Sequence, residues 1–173
     1  MRWIAAFLAL LALLSASPSV QAESDRLEWQ VRYQSRTVRI HVIPPPGKPA
    51  PWPMAMVLHG ASGLGRGHLI WPMADELAKR GVAAAVVRYY DGMSPRLRRK
   101  QSVHWFRERE KILEHVTHAL LARRAVKGPS IGVFGYSLGG FHAVAMAASD
   151  RRIAGAVALA GGLSGHLAGD LSR

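Results

Sequence analysis

The sequence predicts an α/β fold, in which a mostly parallel sheet carries helices on both faces and begins with an antiparallel hairpin. Short apolar segments typical of strands buried on both faces recur at 54–58, 82–87, 130–134 and 153–160. Segments with helical periodicity separate them, and this alternation favours parallel strands joined by right-handed crossovers. The segments 27–33 and 37–43 instead alternate apolar and polar residues around a short turn, which predicts the hairpin.

Three helices are predicted between these strands. Apolar residues at helical spacing place them at 69–80, 97–125 and 138–148. The proline-rich segment 44–53 is predicted to be a loop, because proline cannot donate to a strand ladder.

Composition places the chain among folded proteins, since its 173 residues are 49% hydrophobic, enough for one domain. There is no cysteine, so a nucleophile must be an oxygen. The net charge is +12, and arginine and lysine cluster within 96–111. Glutamates at pairing distance interrupt this cluster, so we interpret it as a solvated helix face rather than a nucleic-acid site. Weak attraction to anionic surfaces is the remaining expectation from the charge.

The first 22 residues have the pattern of a signal peptide. Arg2 supplies the positive charge, Ile4 to Leu14 is apolar, and Val20-Gln21-Ala22 offers a small-residue cleavage site. The apolar part has about eleven residues, whereas a membrane span needs about twenty, which disfavours the alternative of an uncleaved anchor. We therefore predict cleavage after Ala22, a periplasmic or secreted location, and a domain over 23–173.

The segment Ser130 to Phe141, with the sequence SIGVFGYSLGGF, contains a G-x-S-x-G motif at a predicted strand-to-helix turn. A serine that attacks a carbonyl must stand clear of its sheet on a sharp turn, and glycine at 135 and 139 removes the Cβ atoms that would collide there. The Leu138 N–H would then face a developing oxyanion at a helix N-terminus. The alternative is a glycine-rich turn capped by a serine, which would not need glycine on both sides.

Three loops are expected to meet at one edge of the sheet. His59, Arg88 and Ser137 each follow directly after a predicted parallel strand. Ligands of such sheets bind beyond the carboxyl ends of the strands, so we expect the functional site there.

These motifs resemble the α/β-hydrolases, and within them the dienelactone hydrolase family. The resemblance spans about 27–162 and is carried by His59-Gly60-Ala61-Ser62-Gly63, the loop Arg88 to Gly92, Trp105 and Gly135 to Gly140. It implies that Ser137 is the nucleophile and that the Ala61 N–H joins the Leu138 N–H in an oxyanion hole. It also implies that His59 and Gly60 position that turn, with His59 not acting as the base. Dienelactone hydrolases proper carry cysteine at the nucleophile, so the serine here implies a broader esterase for small-molecule esters, without metal or organic cofactor.

The acid and base of a catalytic triad are not found by the same reasoning. The fold orders them as serine, acid, histidine, and the candidates after Ser137 are Asp150, Asp170, His142 and His166. We interpret His142 as a surface or packing residue on the helix and Asp150 as solvated, and Asp170 has no histidine after it. Because 153–160 also has the profile of an interior strand, we expect the triad partners beyond Arg173, in a longer hydrolase of which this chain is a truncated part.

Two other functions fit the sequence at this point. One is a non-catalytic, hydrolase-like binding protein that lacks the triad acid and base. The other is a peptidase or lipase, because the fold alone does not determine the substrate.

Overall fold

A mixed β-sheet forms the centre of the protein in the computed structural model, which describes residues 26–66, 69–98 and 103–162. Among these residues it has six strands in the order β1-β2-β4-β3-β5-β6. They are β1 (Leu27–Tyr33), β2 (Arg36–Ile43), β3 (Met54–Leu58), β4 (Ala83–Val87), β5 (Ile131–Tyr136) and β6 (Ile153–Leu159). The β1–β2 and β2–β4 pairs are antiparallel and the other pairs are parallel, as the predicted fold class requires.

Helices cover both faces of this sheet. They are α1 (Ile70–Lys79), α2 (Pro95–Arg98), α3 (Val103–Leu121) and α4 (Leu138–Ser149), and a 3-10 turn lies at Gly63–Arg66. Helix α1 packs on one face, and α3 and α4 pack on the other. No helix among the described residues is both long and apolar enough to cross a bilayer. The predicted signal peptide lies outside the described residues, as do His166 and Asp170.

The strand β3 shows why the sheet needs helices on both sides. Met56 and Leu58 pack with the residues of α3 and α4, whereas Val57 packs with α1. All five residues of β3 are buried, because successive side chains point to opposite faces and both faces are covered.

The predicted helix over 97–125 is wrong at its C-terminal end. Helix α3 stops at Leu121, and the chain then pairs with the proline-rich loop as an isolated parallel bridge between Trp52 and Val126. The Trp52 N–H donates to the Ala125 carbonyl, and the Trp52 carbonyl accepts from the Lys127 N–H. These bonds require an extended backbone, which explains why helical geometry ends before them.

The predicted solvated face of this helix also needs correction at Arg109. Its side chain is buried on α3, with the guanidinium 5.3 Å from the centre of the Tyr90 ring. One of its nitrogens lies 3.3 Å from the Arg98 carbonyl at the end of α2. Glu108 does behave as predicted, since it accepts from Lys111 one turn later at 2.8 Å.

Strand β6 is the outermost strand of the described sheet on its side. Val157 and Leu159 are 57% and 45% exposed. An apolar sequence of the interior type therefore occupies an edge position among the described residues.

Candidate active site

Ser137 sits on a strained turn between β5 and α4. Its φ and ψ angles are 52° and −119°, a region that residues with a side chain rarely occupy. Its N–H donates to the Leu159 carbonyl of β6, and its carbonyl accepts from Gly140 and Phe141 in the first turn of α4. The backbone bonds on both sides therefore hold the serine in this conformation.

Glycine at both flanking positions of Ser137 is required by the packing. A Cβ on Gly135 would lie 2.0 Å from the Gly139 carbonyl oxygen, and a Cβ on Gly139 would lie 2.3 Å from that of Leu58. Both obstacles are backbone atoms, which cannot move aside as a flexible side chain would. The turn thus has the steric form that a nucleophile elbow needs.

The turn after β3 lies directly against this elbow. A Cβ on Gly60 would be 3.2 Å from the Ser137 Cβ. Ala61 is exposed at the tip of the turn, whereas Leu138 is buried at the first position of α4. Among the described residues, neither the Ala61 N–H nor the Leu138 N–H donates a backbone hydrogen bond, so both can serve an anion.

A cluster of buried aromatic rings connects the turn after β3 with helix α4. The His59 ring stacks on Tyr89 at a centroid distance of 4.1 Å, and the Tyr89 hydroxyl donates to the His59 carbonyl at 2.5 Å. Tyr89 also meets the edge of His142, which stacks on Phe106 at 4.0 Å. Burial lowers the pKa of His59 to about 4 and that of His142 to about 3, so both rings are neutral at pH 7.

An ion cluster joins the third loop to the hairpin. The Asp91 carboxylate accepts from the Arg39 side chain of β2 at 2.9 Å and from Arg88 at 3.2 Å. Burial alone would raise the pKa of Asp91, but the hydrogen bonds from the two arginines outweigh it and lower this pKa. The loop that follows β4 is thereby fixed to β2, although the two are far apart in sequence.

A cavity of about 650 Å³ opens beside these loops. Its wall includes His59, Ala61, Trp71, Arg88, Tyr90 and Arg98. Its volume is in the range of small-molecule pockets, and it reaches the Ala61 turn. The combination of aromatic and cationic side chains suits an organic molecule with polar groups.

The structure brings together the three loops that the sequence placed at one edge of the sheet. His59 and Gly60 form the turn against Ser137, and Arg88 lies on the wall of the cavity beside this turn. Of the two predicted alternatives for His142, the surface or the packing, the structure selects the packing, because this residue is fully buried. The prediction that Asp150 is solvated needs correction, because its ion pair with Arg152 at 2.8 Å leaves the side chain only 15% exposed.

The sequence analysis did not identify two residues that line the cavity from helices outside the three loops. Trp71 lies on α1 and Arg98 on α2, and no local motif marks either of them. The Arg88–Asp91 spacing is a local signal that could have suggested an ion pair in the turn, but Arg39 carries no signal of its own.

The sequence model of the dienelactone hydrolase family matches residues 39–170 of this chain. A search of the curated proteins finds no match.

Solved structures share the fold. The chain is similar to Est1E from Butyrivibrio proteoclasticus, with 18% identity, a TM-score of 0.60 and coverage of 73% of this chain and 47% of that one. It is also similar to a dienelactone hydrolase-like promiscuous phosphotriesterase from metagenomic libraries, with 21% identity, a TM-score of 0.64 and coverage of 85% of this chain and 65% of that one. The third such structure is the 2,6-dihydroxy-pseudo-oxynicotine hydrolase, with 26% identity, a TM-score of 0.59 and coverage of 75% of this chain and 35% of that one. The chain therefore spans less than two thirds of the length of each of these proteins.

Proposed function

This chain belongs to the dienelactone hydrolase family, and we propose that it is a serine hydrolase that cleaves carboxylic esters of small molecules through an acyl-enzyme on Ser137. The observation that carries the proposal is the strained conformation of Ser137 between two glycines that admit no side chain. Such strain persists only where the surrounding structure enforces it, and it is concentrated at functional sites.

In the proposed reaction the Ser137 Oγ attacks the ester carbonyl and forms a tetrahedral intermediate. The N–H groups of Ala61 and Leu138 donate to its oxyanion, and the macrodipole of α4 favours the negative charge. Collapse of the intermediate releases the alcohol and leaves the acyl group on Ser137, which water then removes.

The proton of Ser137 must pass to a base in this scheme. Among the described residues, the two buried histidines near Ser137 do not bond to its hydroxyl, since His59 Nδ1 bonds to the Gly60 carbonyl and neither ring nitrogen of His142 has a hydrogen-bond partner. We propose that the acid and the base of the triad are supplied from outside the described residues.

Hydrolysis of p-nitrophenyl acetate by the natural gene product tests this function. Ser137→Ala should lower kcat by more than about a thousandfold, because it removes the nucleophile. Ser149→Ala is the matched control, since that hydroxyl lies at the exposed end of the same helix and donates to the Ala145 carbonyl one turn earlier. A fluorophosphonate should label the peptide that contains Ser137.

Equal rates for the wild type and Ser137→Ala would contradict the assignment of the nucleophile. Absence of both turnover and labelling would instead support a non-catalytic, hydrolase-like protein. Turnover of peptides or long-chain lipids in preference to small esters would replace the substrate class and keep Ser137.

We also propose that the protein is exported and that residues 1–22 are removed. N-terminal sequencing of the mature protein should begin at Glu23, and an intact Met1 would contradict export with cleavage. The charge of +12 supports weak binding to anionic membrane surfaces, which should disappear at high salt.

A further inference from the structure

We propose that Arg109 is a positioning residue that fixes the wall of the cavity formed by Tyr90 and Arg98, and that this wall determines how well larger esters bind. The inference rests on the function proposed above, because it concerns how the ester binds beside the Ser137 turn. Arg109 is fully buried and is not one of the described residues that line the cavity. It can therefore act on a substrate only through its neighbours.

Arg109 lies on a helix that is held firmly by the core. Helix α3 has 19 residues, and its Phe106, Ile112 and Leu113 are buried in the main hydrophobic cluster. Arg109 belongs to the same buried face, because it lies one turn from Phe106 and one turn from Ile112. The packing of α3 thus fixes the backbone from which the guanidinium extends.

The guanidinium contacts the end of α2, a helix of only four residues. So short a helix is unstable by itself, and its last carbonyls have no partner within the helix. Arg109 Nη2 donates to the Arg98 carbonyl at 3.3 Å and lies 3.5 Å from the Leu97 carbonyl. An arginine that bonds the last carbonyls stabilises a helix C-terminus, so Arg109 holds the end of α2 against α3.

The same guanidinium also contacts Tyr90. It lies 5.3 Å from the centre of the Tyr90 ring, within the range of a cation–π contact. The rings of His59 and Tyr89 each form a T-shaped contact with this ring at 4.8 Å. The Tyr90 carbonyl accepts from the Met93 N–H at 3.0 Å, which connects Tyr90 with the segment that leads into α2. One side chain of α3 thus contacts both parts of the wall.

Both residues of this wall face a cavity of about 650 Å³. Arg98 Nε donates to the Met93 carbonyl at 3.0 Å, so the orientation of its side chain depends on the backbone of α2. Removing the guanidinium of Arg109 would release the end of α2 and one side of the Tyr90 ring, and the wall would then shift. A small ester leaves much of the volume empty, whereas a larger ester must fit against the wall. The effect on binding should therefore increase with the size of the substrate.

The simpler interpretation is that Arg109 only stabilises the packing between α2 and α3. Its loss would then lower the melting temperature and change the kinetics of all esters alike. A residue that positions the wall would instead act on KM more than on kcat, and on a large ester more than on a small one.

Arg109→Met tests the proposal, because methionine keeps an unbranched apolar stem and removes the charge and the donors. We expect KM of the natural gene product for p-nitrophenyl benzoate to rise about tenfold and KM for p-nitrophenyl acetate to rise about twofold or less, with kcat for both esters within about twofold of the wild type. Arg107→Met is the matched control, since it removes the same charge from an exposed position of the same helix. It should leave the ratio of the two KM values at that of the wild type.

Two further variants carry the test if Arg109→Met does not fold. Arg109→Lys retains the charge and one donor for the carbonyls of α2. Ser94→Ala removes an exposed hydroxyl that accepts from the Leu97 N–H at 3.3 Å, and so loosens α2 at its other end. We expect KM for p-nitrophenyl benzoate to rise about threefold in each variant. An unchanged KM in both would contradict the proposal.

Binding without turnover separates this inference from the proposed function. N-(4-nitrophenyl)benzamide is the amide analogue of the benzoate, and its binding should quench the fluorescence of Trp71 on the cavity wall. Its Kd should be about tenfold higher in Arg109→Met than in the wild type, whether or not the protein cleaves esters. Equal Kd values, equal changes in KM for the two esters, or KM values that follow the melting temperatures would overturn the proposal. Loss of activity in Ser137→Ala together with any of these results would leave the proposed function standing and refute this inference alone.

Discussion

The Cβ atom that Gly139 lacks would lie 2.3 Å from the Leu58 carbonyl oxygen and 2.7 Å from that of His59. Gly139→Ala should therefore push α4 away from β3 and lower the free energy of unfolding by at least about 2 kcal/mol. Urea unfolding measures this loss. Gly155→Ala is the matched control, because a Cβ there meets no atom within 4 Å. Equal stability of the two variants would show that the turn relaxes easily.

His142 is a residue whose burial should make stability depend on pH. Its pKa is lowered from 6.5 to about 3. Burial is the largest cause, the nearby charge of Arg109 is the second, and His59 is the third. Between these values the unfolded chain binds a proton that the folded chain does not, so stability falls as the pH falls below 6.5.

Replacing His142 should remove its part of this acid sensitivity. We expect His142→Leu to lose stability less steeply than the wild type between pH 6.5 and pH 4, by up to about 1.4 kcal/mol per pH unit. Urea midpoints from pH 8 to pH 4 measure the two slopes, and the wild type at pH 8 is the reference. Parallel slopes would mean that His142 does not cause the sensitivity, and would leave His59 as the other buried histidine near the site.

At this scale the sequence predicted which residues form the turns but not how deeply their neighbours are buried. Ser137 and its flanking glycines were identified because the motif is local and its spacing has a steric cause. Arg109 was predicted to be solvated, and it was left open whether His142 lies at the surface or in the packing, because a charged or polar residue on a helix is usually solvated. Their burial depends on the loop after β4, which local periodicity does not describe.

At the scale of elements, the Asp91 cluster connects strand β2 to the loop after β4. Asp91→Asn keeps the shape and removes the charge that Arg39 and Arg88 share. We expect a loss of about 1–2 kcal/mol at pH 7, because a partly buried site would keep two cations without their anion, while solvent screens the exposed parts of Arg39 and Arg88.

The pH dependence of this loss follows from the lowered pKa of Asp91. The stabilisation is present above the ordinary pKa of 3.8 and is lost as the pH falls through the lower folded value. Urea unfolding of the wild type and of Asp91→Asn at pH 7 measures the loss of stability, and the same comparison near pH 2 measures how much of this loss disappears in acid. Asp75→Asn is the control, since its pair with Arg26 is long, at 3.8 Å, and partly exposed. A similar effect of the two substitutions would show that the cluster adds no stability.

Most elements could be predicted from the sequence because their patterns are local. The ends of β3 were predicted without error, since a five-residue apolar run lies between a proline and a histidine-glycine turn. The end of α3 was not, because Val126 leaves the helix to pair with Trp52, a partner far away in sequence. A contact between residues far apart in sequence forms only when the chain folds, so the spacing of apolar residues along the chain does not predict it.

At the scale of the whole molecule, the outer strand β6 carries the main exposed apolar surface of the described sheet. Val157 is 57% exposed there. An apolar edge strand can pair with another copy, so we expect the 173-residue chain to self-associate and Val157→Lys to reduce this association. Light scattering against concentration measures it. Val103→Lys, at an exposed valine on a helix, should leave association unchanged, and equal effects would point to net charge rather than the edge.

The position of β3 also has a consequence for the order in which the protein forms during synthesis. Ala55 pairs with Ala84 on one side and with Gly132 on the other, so one side of β3 can close long before β5 leaves the ribosome. The serine turn follows β5 and is shaped by contacts with Leu58 and Gly60, which β3 must already have placed. A nascent chain should therefore form the Ser137 turn only after its first four strands have paired. Pulse-labelled hydrogen exchange during refolding should protect the amides of β2–β4 before those of β5, and the reverse order would contradict this sequence of events.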